Sequence, residues 1–148
     1  MKIIGNNAFS GCTALEEVKF AGGAGMYAVL DVVTGAAFKK NDAAMTIGND
    51  AFNGCLNLKS FDIPVGFTSI GSDAFYGCKA LTILDLSNFD TSNVTNMDYM
   101  FLGCETLSTL DVSSFDTSSV TTMQWMFVGC YALSTLDLSN FNTRNVTD

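Results

Sequence analysis

The 148-residue chain contains no histidine, which removes the side chain most used for general acid–base chemistry near neutral pH. Basic residues are scarce as well: 7 Lys and Arg stand against 15 Asp and Glu, a net charge of −8. The deficit is uneven. Residues 1–79 hold six Lys against seven acids (−1), whereas residues 80–148 hold only Arg144 against eight acids (−7). A nucleic-acid-binding surface carries the opposite sign, so that class is excluded. No apolar run approaches the ~18–20 residues that cross a bilayer, so this segment does not insert into a membrane. Neither a nucleophile–base pairing nor a phosphate-cradling loop can be found. No catalytic residue and no cofactor are therefore assigned, and the chain is not read as an enzyme. The opening, MKIIGNNAFSGC, already lies inside a repeat and leaves no signal peptide to read.

Repetition dominates what is present. VTNMDYMFLGCETLSTLDVSSFDTSS is followed directly by VTTMQWMFVGCYALSTLDLSNFNTRN, and Val94, Val120 and Val146 are 26 residues apart, as are Cys78, Cys104 and Cys130. Self-similarity at such a period marks a solenoid, in which each unit buries its apolar face only against a copy of itself. Upstream, IGNNAFSGCTALEEVKF (Ile4–Phe20), IGNDAFNGCLNLKSFDI (Ile47–Ile63) and IGSDAFYGCKALTILDL (from Ile70) are related units, and Ile47 to Ile70 spans 23 residues. Five repeats result, over 4–20, 47–69, 70–93, 94–119 and 120–145. At 48% hydrophobic residues, one domain over 1–148 has ample material for one continuous core.

The frame Leu81-x-x-Leu84-x-Leu86 continues into Leu107-x-x-Leu110-x-Val112 and Leu133-x-x-Leu136-x-Leu138, the leucine-rich-repeat signature. Its alternating end predicts a short strand per unit, Leu84 and Leu86 facing inward and Ile83, Asp85 and Ser87 outward. The expected fold is an α/β solenoid with a parallel sheet on the concave face and short helices on the return limb. Thr95-x-x-Asp98 and Thr121-x-x-Gln124 resemble capping boxes, and Gly103 and Gly129 fall where a helix C-cap needs positive φ. Met97, Met100 and Phe101, and likewise Met123, Met126 and Phe127, then form a core-facing stripe. Phe89, Phe115 and Phe141 are expected as a spine along the core. Residues 21–46 fall outside the repeat frame. There MYAVLDVVTGAAFKKN reads as a β-hairpin around Thr34-Gly35, or alternatively as an irregular flap over the sheet edge.

Three constellations invite a functional reading. Cys12, Cys55, Cys78, Cys104 and Cys130 share one Gly-Cys slot and should line the core as small apolar thiols; a line of thiols is no tetrahedral zinc site. Asp62, Asp85, Asp111 and Asp137 take the outward strand position, with Ser87, Ser113 and Ser139 beside them. Stacked ~4.8 Å apart, such charges each cost on the order of 1 kcal/mol. The ladder is either a solvated face or a binding face for basic partner groups or cations, with calcium at Asp85, Asp111 and Asp137 the metal to consider. Tyr99 and Trp125 lie off the Met/Phe stripe one rung apart and would present an aromatic pair on the convex side.

The pattern IGxxAFxGCxxLxxxxI resembles the BspA-like leucine-rich repeat of bacterial and protist surface proteins. LDLSNFDTSNVTNMxxMFxGCxxL is similar to the 26-residue variant of mycoplasma-type surface lipoproteins. What the resemblance implies is an extracellular or cell-surface location and adhesion to host or neighbouring-cell surface or matrix proteins through the solenoid surface. The rival is a structural stalk presenting other domains. The last layer (Met126, Phe127, Leu133, Leu136, Leu138 and Phe141) is expected to lack a polar cap and to favour end-to-end self-association.

Overall fold

A computed structural model describes residues 2–18, 21–23, 26–28, 45–61, 67–87 and 89–148. The early units carry two strands each. β1 (Lys2–Ile4) pairs in parallel with β5 (Met45–Ile47), and β5 with β7 (Phe67–Ile70). A second parallel sheet runs β2 (Glu17–Val18), β6 (Ser60–Phe61), β8 (Ile83–Asp85) and β9 (Thr109–Asp111). This second sheet is the one the leucine frame predicts. Leu84 and Leu110 are buried and in register, while Ile83, which precedes Leu84 on β8, is 61% exposed. The first sheet was not anticipated, because a single Ile followed by Gly offers too short a pattern to announce a strand. Residues 135–139, in the fifth unit, form no strand; Leu133, Leu136 and Phe141 are half-buried and Leu138 is exposed.

Within the span 21–46, β3 (Ala21–Gly23) and β4 (Met26–Ala28) form an antiparallel pair, Ala21 opposite Ala28. The turn expected at Thr34-Gly35 lies outside the described residues. Met45 and Thr46 already belong to β5, so the solenoid frame resumes before Ile47.

The short helices expected on the return limb are not formed among the described residues; the limb is a chain of turns. Its amides alternate between two kinds of partner. Leu102 and Cys104 donate to the carbonyls three residues back, Tyr99 (2.9 Å) and Phe101 (3.1 Å). Tyr99, Phe101 and Gly103 instead donate to Gln124, Met126 and Val128 of the next rung (2.9, 3.0 and 2.8 Å). A helix would commit every amide to its own segment four residues back, so lateral bonding and helix are mutually exclusive. The presumed capping boxes are diverted in the same way. Asp98 Oδ1 accepts the amide of Gln124 (2.7 Å) and the hydroxyl of Thr122 (2.5 Å), both in the next rung. Gly103 and Gly129 do have positive φ (74° and 79°), but they close turns, and a Cβ on Gly129 would lie 3.2 Å from the Cα of Gly103.

The core is a set of columns, each built from one position of the repeat. Phe9, Phe52, Phe75, Phe101 and Phe127 stack with centroids 5.2, 5.5, 6.3 and 5.8 Å apart. A second column contains Phe115 and Phe141 (6.4 Å), with Phe89 also buried. The cysteines are free thiols, and those of four rungs donate to a phenylalanine carbonyl of the preceding rung: Cys55 to Phe9, Cys78 to Phe52, Cys104 to Phe75 and Cys130 to Phe101, at 3.1–3.3 Å. Cys12 departs from the expectation; in the first rung it is exposed. The fully buried Thr91 donates to Asp116 O (3.0 Å) and accepts from Asp116 N (2.8 Å), and Thr117 does the same with Asn142 (3.2 and 2.7 Å).

Burial pushes the Cys55 thiol up to about 11 and that of Cys104 to about 12, and Cys78 is raised further still. With iodoacetamide at pH 8, Cys12 should label rapidly and Cys78 and Cys104 only on unfolding, because the thiolate is the reactive form. Peptide mass mapping reads the difference. Equal labelling rates would mean the column is open. Thr91→Val keeps the shape but strands the Asp116 backbone groups, and should cost about 1–3 kcal/mol in denaturant unfolding.

Candidate functional site

Two surfaces carry the sequence-predicted residues. On the strand face, Asp85 and Asp111 are opposed in register at the ends of β8 and β9, and both are exposed, as are Ser87, Ser113, Asp137 and Ser139. Asp62 lies outside the described residues. Each of the other three carboxylates folds onto its own chain, since Asp85, Asp111 and Asp137 accept the amides of Ser87, Ser113 and Ser139 at 2.9 Å. These are Asx turns, which satisfy the backbone where the strand ends. Bonds from the serine hydroxyl and amide hold all three carboxyls below the usual range. A parallel series follows five residues on, with Asp90 and Asp116 accepting from Ser92 and Ser118. Among the described residues no three acidic or thiol ligands converge on a point. The ladder is thus explained by local backbone chemistry, and calcium at Asp85, Asp111 and Asp137 gains no convergent ligand set.

The limb face differs. One position of each unit adopts the left-handed conformation: Asn7, Asp50, Asp73, Tyr99 and Trp125, with φ between 55° and 59°. Asn and Asp tolerate that region because a short polar side chain can bond locally; a bulky aromatic there is an outlier. The last two rungs nonetheless place aromatics at it, with ring centroids 6.3 Å apart and tilted by 53°. Trp125 is 61% exposed, and Val128 and Tyr131 of the same unit are exposed too. The sequence marked the pair but not its backbone strain. Val128 and Tyr131 were overlooked, although aligning the units in rows of 26 places them under Leu102 and Glu105.

Asp73 is a third feature of this face. Burial, only partly offset by the Ser72 hydroxyl and reinforced by Asp50 and Asp98, raises its carboxyl above the ordinary value. A raised folded value means that the charged form is a net cost once the pH exceeds it. Asp73→Asn, which keeps the left-handed preference, should therefore raise the melting temperature at pH 7. The gain should fade below about pH 3.9, where the wild-type carboxyl is protonated in both states. The strand-face aspartates have the opposite sign: their contribution is present above that pH and lost as acid titrates the folded carboxyls. Thermal melts of wild type and variant from pH 7 to pH 2.5 check this; a gain that does not depend on pH would rule out the carboxylate charge as its cause.

Parallel rungs of the L-x-x-L-x-L frame define a leucine-rich-repeat solenoid. Residues 70–148 match the family described as "Mycoplasma protein of unknown function, DUF285", and residues 1–26 match the "BspA type Leucine rich repeat region (6 copies)". The chain belongs to the first family, whose repeats cover its C-terminal half, and is a BspA-like leucine-rich-repeat protein. The crystal structure of the leucine-rich-repeat protein of T. pallidum is similar, with a TM-score of 0.48 and 18% identity over 90% of this chain and 61% of that one. The chain thus spans about three fifths of that protein's solved length. No curated protein matches. No helix among the described residues is long and apolar enough to cross a membrane.

Proposed function

We propose that the chain is a non-catalytic, cell-surface protein-binding module that adheres to host or neighbouring-cell surface or matrix proteins through its limb face. The observation that carries this reading is the aromatic pair in left-handed backbone. A strained conformation costs on the order of 1–3 kcal/mol at each residue, and a Tyr–Trp contact returns about 0.5–1.5 kcal/mol. The pair therefore fails to offset its own strain, and Tyr and Trp are among the residues that dominate protein interfaces; Trp125 is exposed and Tyr99 half-buried. The aspartates of the strand face, by contrast, each engage an oxygen with the backbone amide two residues on. Family membership and the surface proteins it resembles support the surface location.

The test follows from the chain's own earlier rungs. Tyr99→Asn with Trp125→Asn installs a residue type already used at this position in the first rung. The double variant should be more stable than wild type by about 1 kcal/mol or more and should lose most of the adhesion of protein-coated beads to host-cell monolayers or matrix. A variant that adheres as well as wild type would remove the limb face from the reading. A wild-type domain with no adhesion at all would favour the stalk.

A further inference from the structure

At the seam between the third and fourth rungs the lateral bonding of the first sheet is interrupted. Ile4 and Ile47 pass their carbonyls to the amides of Gly48 and Gly71 in the following rung (2.8 and 2.9 Å). Ile70 is the next in the series, and among the described residues no donor reaches its carbonyl. The other wall shows the complementary gap. Thr121 donates its amide and hydroxyl to Thr95 O (2.9 and 3.0 Å), and Thr147 repeats this on Thr121 O (3.1 and 3.4 Å). Thr95 heads that series, and among the described residues neither its amide nor its hydroxyl meets an acceptor.

The cause is the change of period. The unit from Ile47 to Ile70 has 23 residues and that from Cys78 to Cys104 has 26. In the longer unit the amide of Val94 turns back onto Thr91 O (2.9 Å), as that of Val120 does onto Thr117 O (3.0 Å), in place of extending a strand. A groove of about 260 Å³ opens there. Its polar lining is Asn49, Ser69, Ser72, Asn93, Thr95 and Asn96, over a floor that includes Ile70 and Gly71. No charged and no aromatic side chain lines it.

We infer that this seam is a binding site for a neutral sugar unit. Amides and hydroxyls both donate and accept, which suits a ring of hydroxyls and offers no counter-charge to an anion or a cation. The volume sits just below the ~300–1,000 Å³ of ordinary ligand sites, a size for one ring. An added peptide strand fits less well. Strands lie ~4.8 Å apart, so inserting one would double the rung separation. Yet Asp73 N to Asp98 O (3.0 Å) and Phe75 N to Met100 O (3.1 Å) already close the rungs a few residues along. With the rungs held together there, the groove has room for a ring and not for an inserted strand. This site is separate from the aromatic pair and stands whether or not that pair binds a protein.

Amide chemical shifts of the intact chain, titrated with glucose, galactose, mannose and N-acetylglucosamine up to 50 mM, decide it. At least one sugar should move Gly71, Ser72, Thr95 and Asn96 together with millimolar affinity, and its uronic acid counterpart should bind at least tenfold more weakly. Thr95→Val and Asn93→Ala, tested singly, should each weaken that binding several-fold with the melting temperature unchanged, while Tyr99→Asn with Trp125→Asn should leave it as it was. No shift from any sugar would overturn the proposal. So would shifts that survive both seam substitutions, or a seam that answers only to a capped extended tetrapeptide.

Discussion

Lateral hydrogen bonding between rungs is the constraint on which everything else in this molecule depends. In the limb, alternate amides leave their own segment and bond to the next rung, as Tyr99, Phe101 and Gly103 do to Gln124, Met126 and Val128. That division sets the backbone: an amide committed sideways cannot close a helical turn, so the limb becomes a series of three-residue-back turns joined by left-handed residues. Side chains then have no choice of neighbour. Each position of the repeat meets its own equivalent, and columns of Phe, Cys and Thr result. Because every column continues across rungs, the core is continuous although no rung has a core of its own.

The same constraint assigns the polar residues. Buried Thr91 and Thr117 act as cross-rung staples that take one donor and one acceptor from the next unit, which makes burial of a hydroxyl acceptable. Aspartates at strand ends close Asx turns. At ~4.8 Å spacing, a ladder of carboxylates looks costly, yet its carboxyls are held below their ordinary value by the serine two residues on. Local hydrogen bonds therefore outweigh the repulsion between rungs, with Asp111 only the smallest of the influences on Asp85. A repeated charge in a solenoid need not mean a ligand.

Departures from the column rule are where function is to be sought. Tyr99 and Trp125 occupy a position that earlier rungs give to Asn and Asp, and they bear the strain of the left-handed region although Tyr99 is only half-buried and Trp125 is exposed. The seam at Ile70 and Thr95 interrupts the lateral series of the first sheet, where two periods meet. Both are exceptions to an otherwise repeated solution.

By itself the sequence determined the repeat, its two periods, the strand of the leucine frame and the buried stripe of Met97, Met100 and Phe101, because periodic burial leaves a direct mark on residue type. It also marked Tyr99 and Trp125 as an aromatic pair off the Met/Phe stripe, one rung apart. Tertiary structure decided the rest. Met and Phe at helical spacing look the same whether the amides between them bond along the chain or across it, so the limb read as helix. The first sheet, the left-handed backbone at the aromatic pair and the open seam are all products of how one rung sits on the next. A pattern within a single unit cannot encode the bonds that only its neighbour supplies.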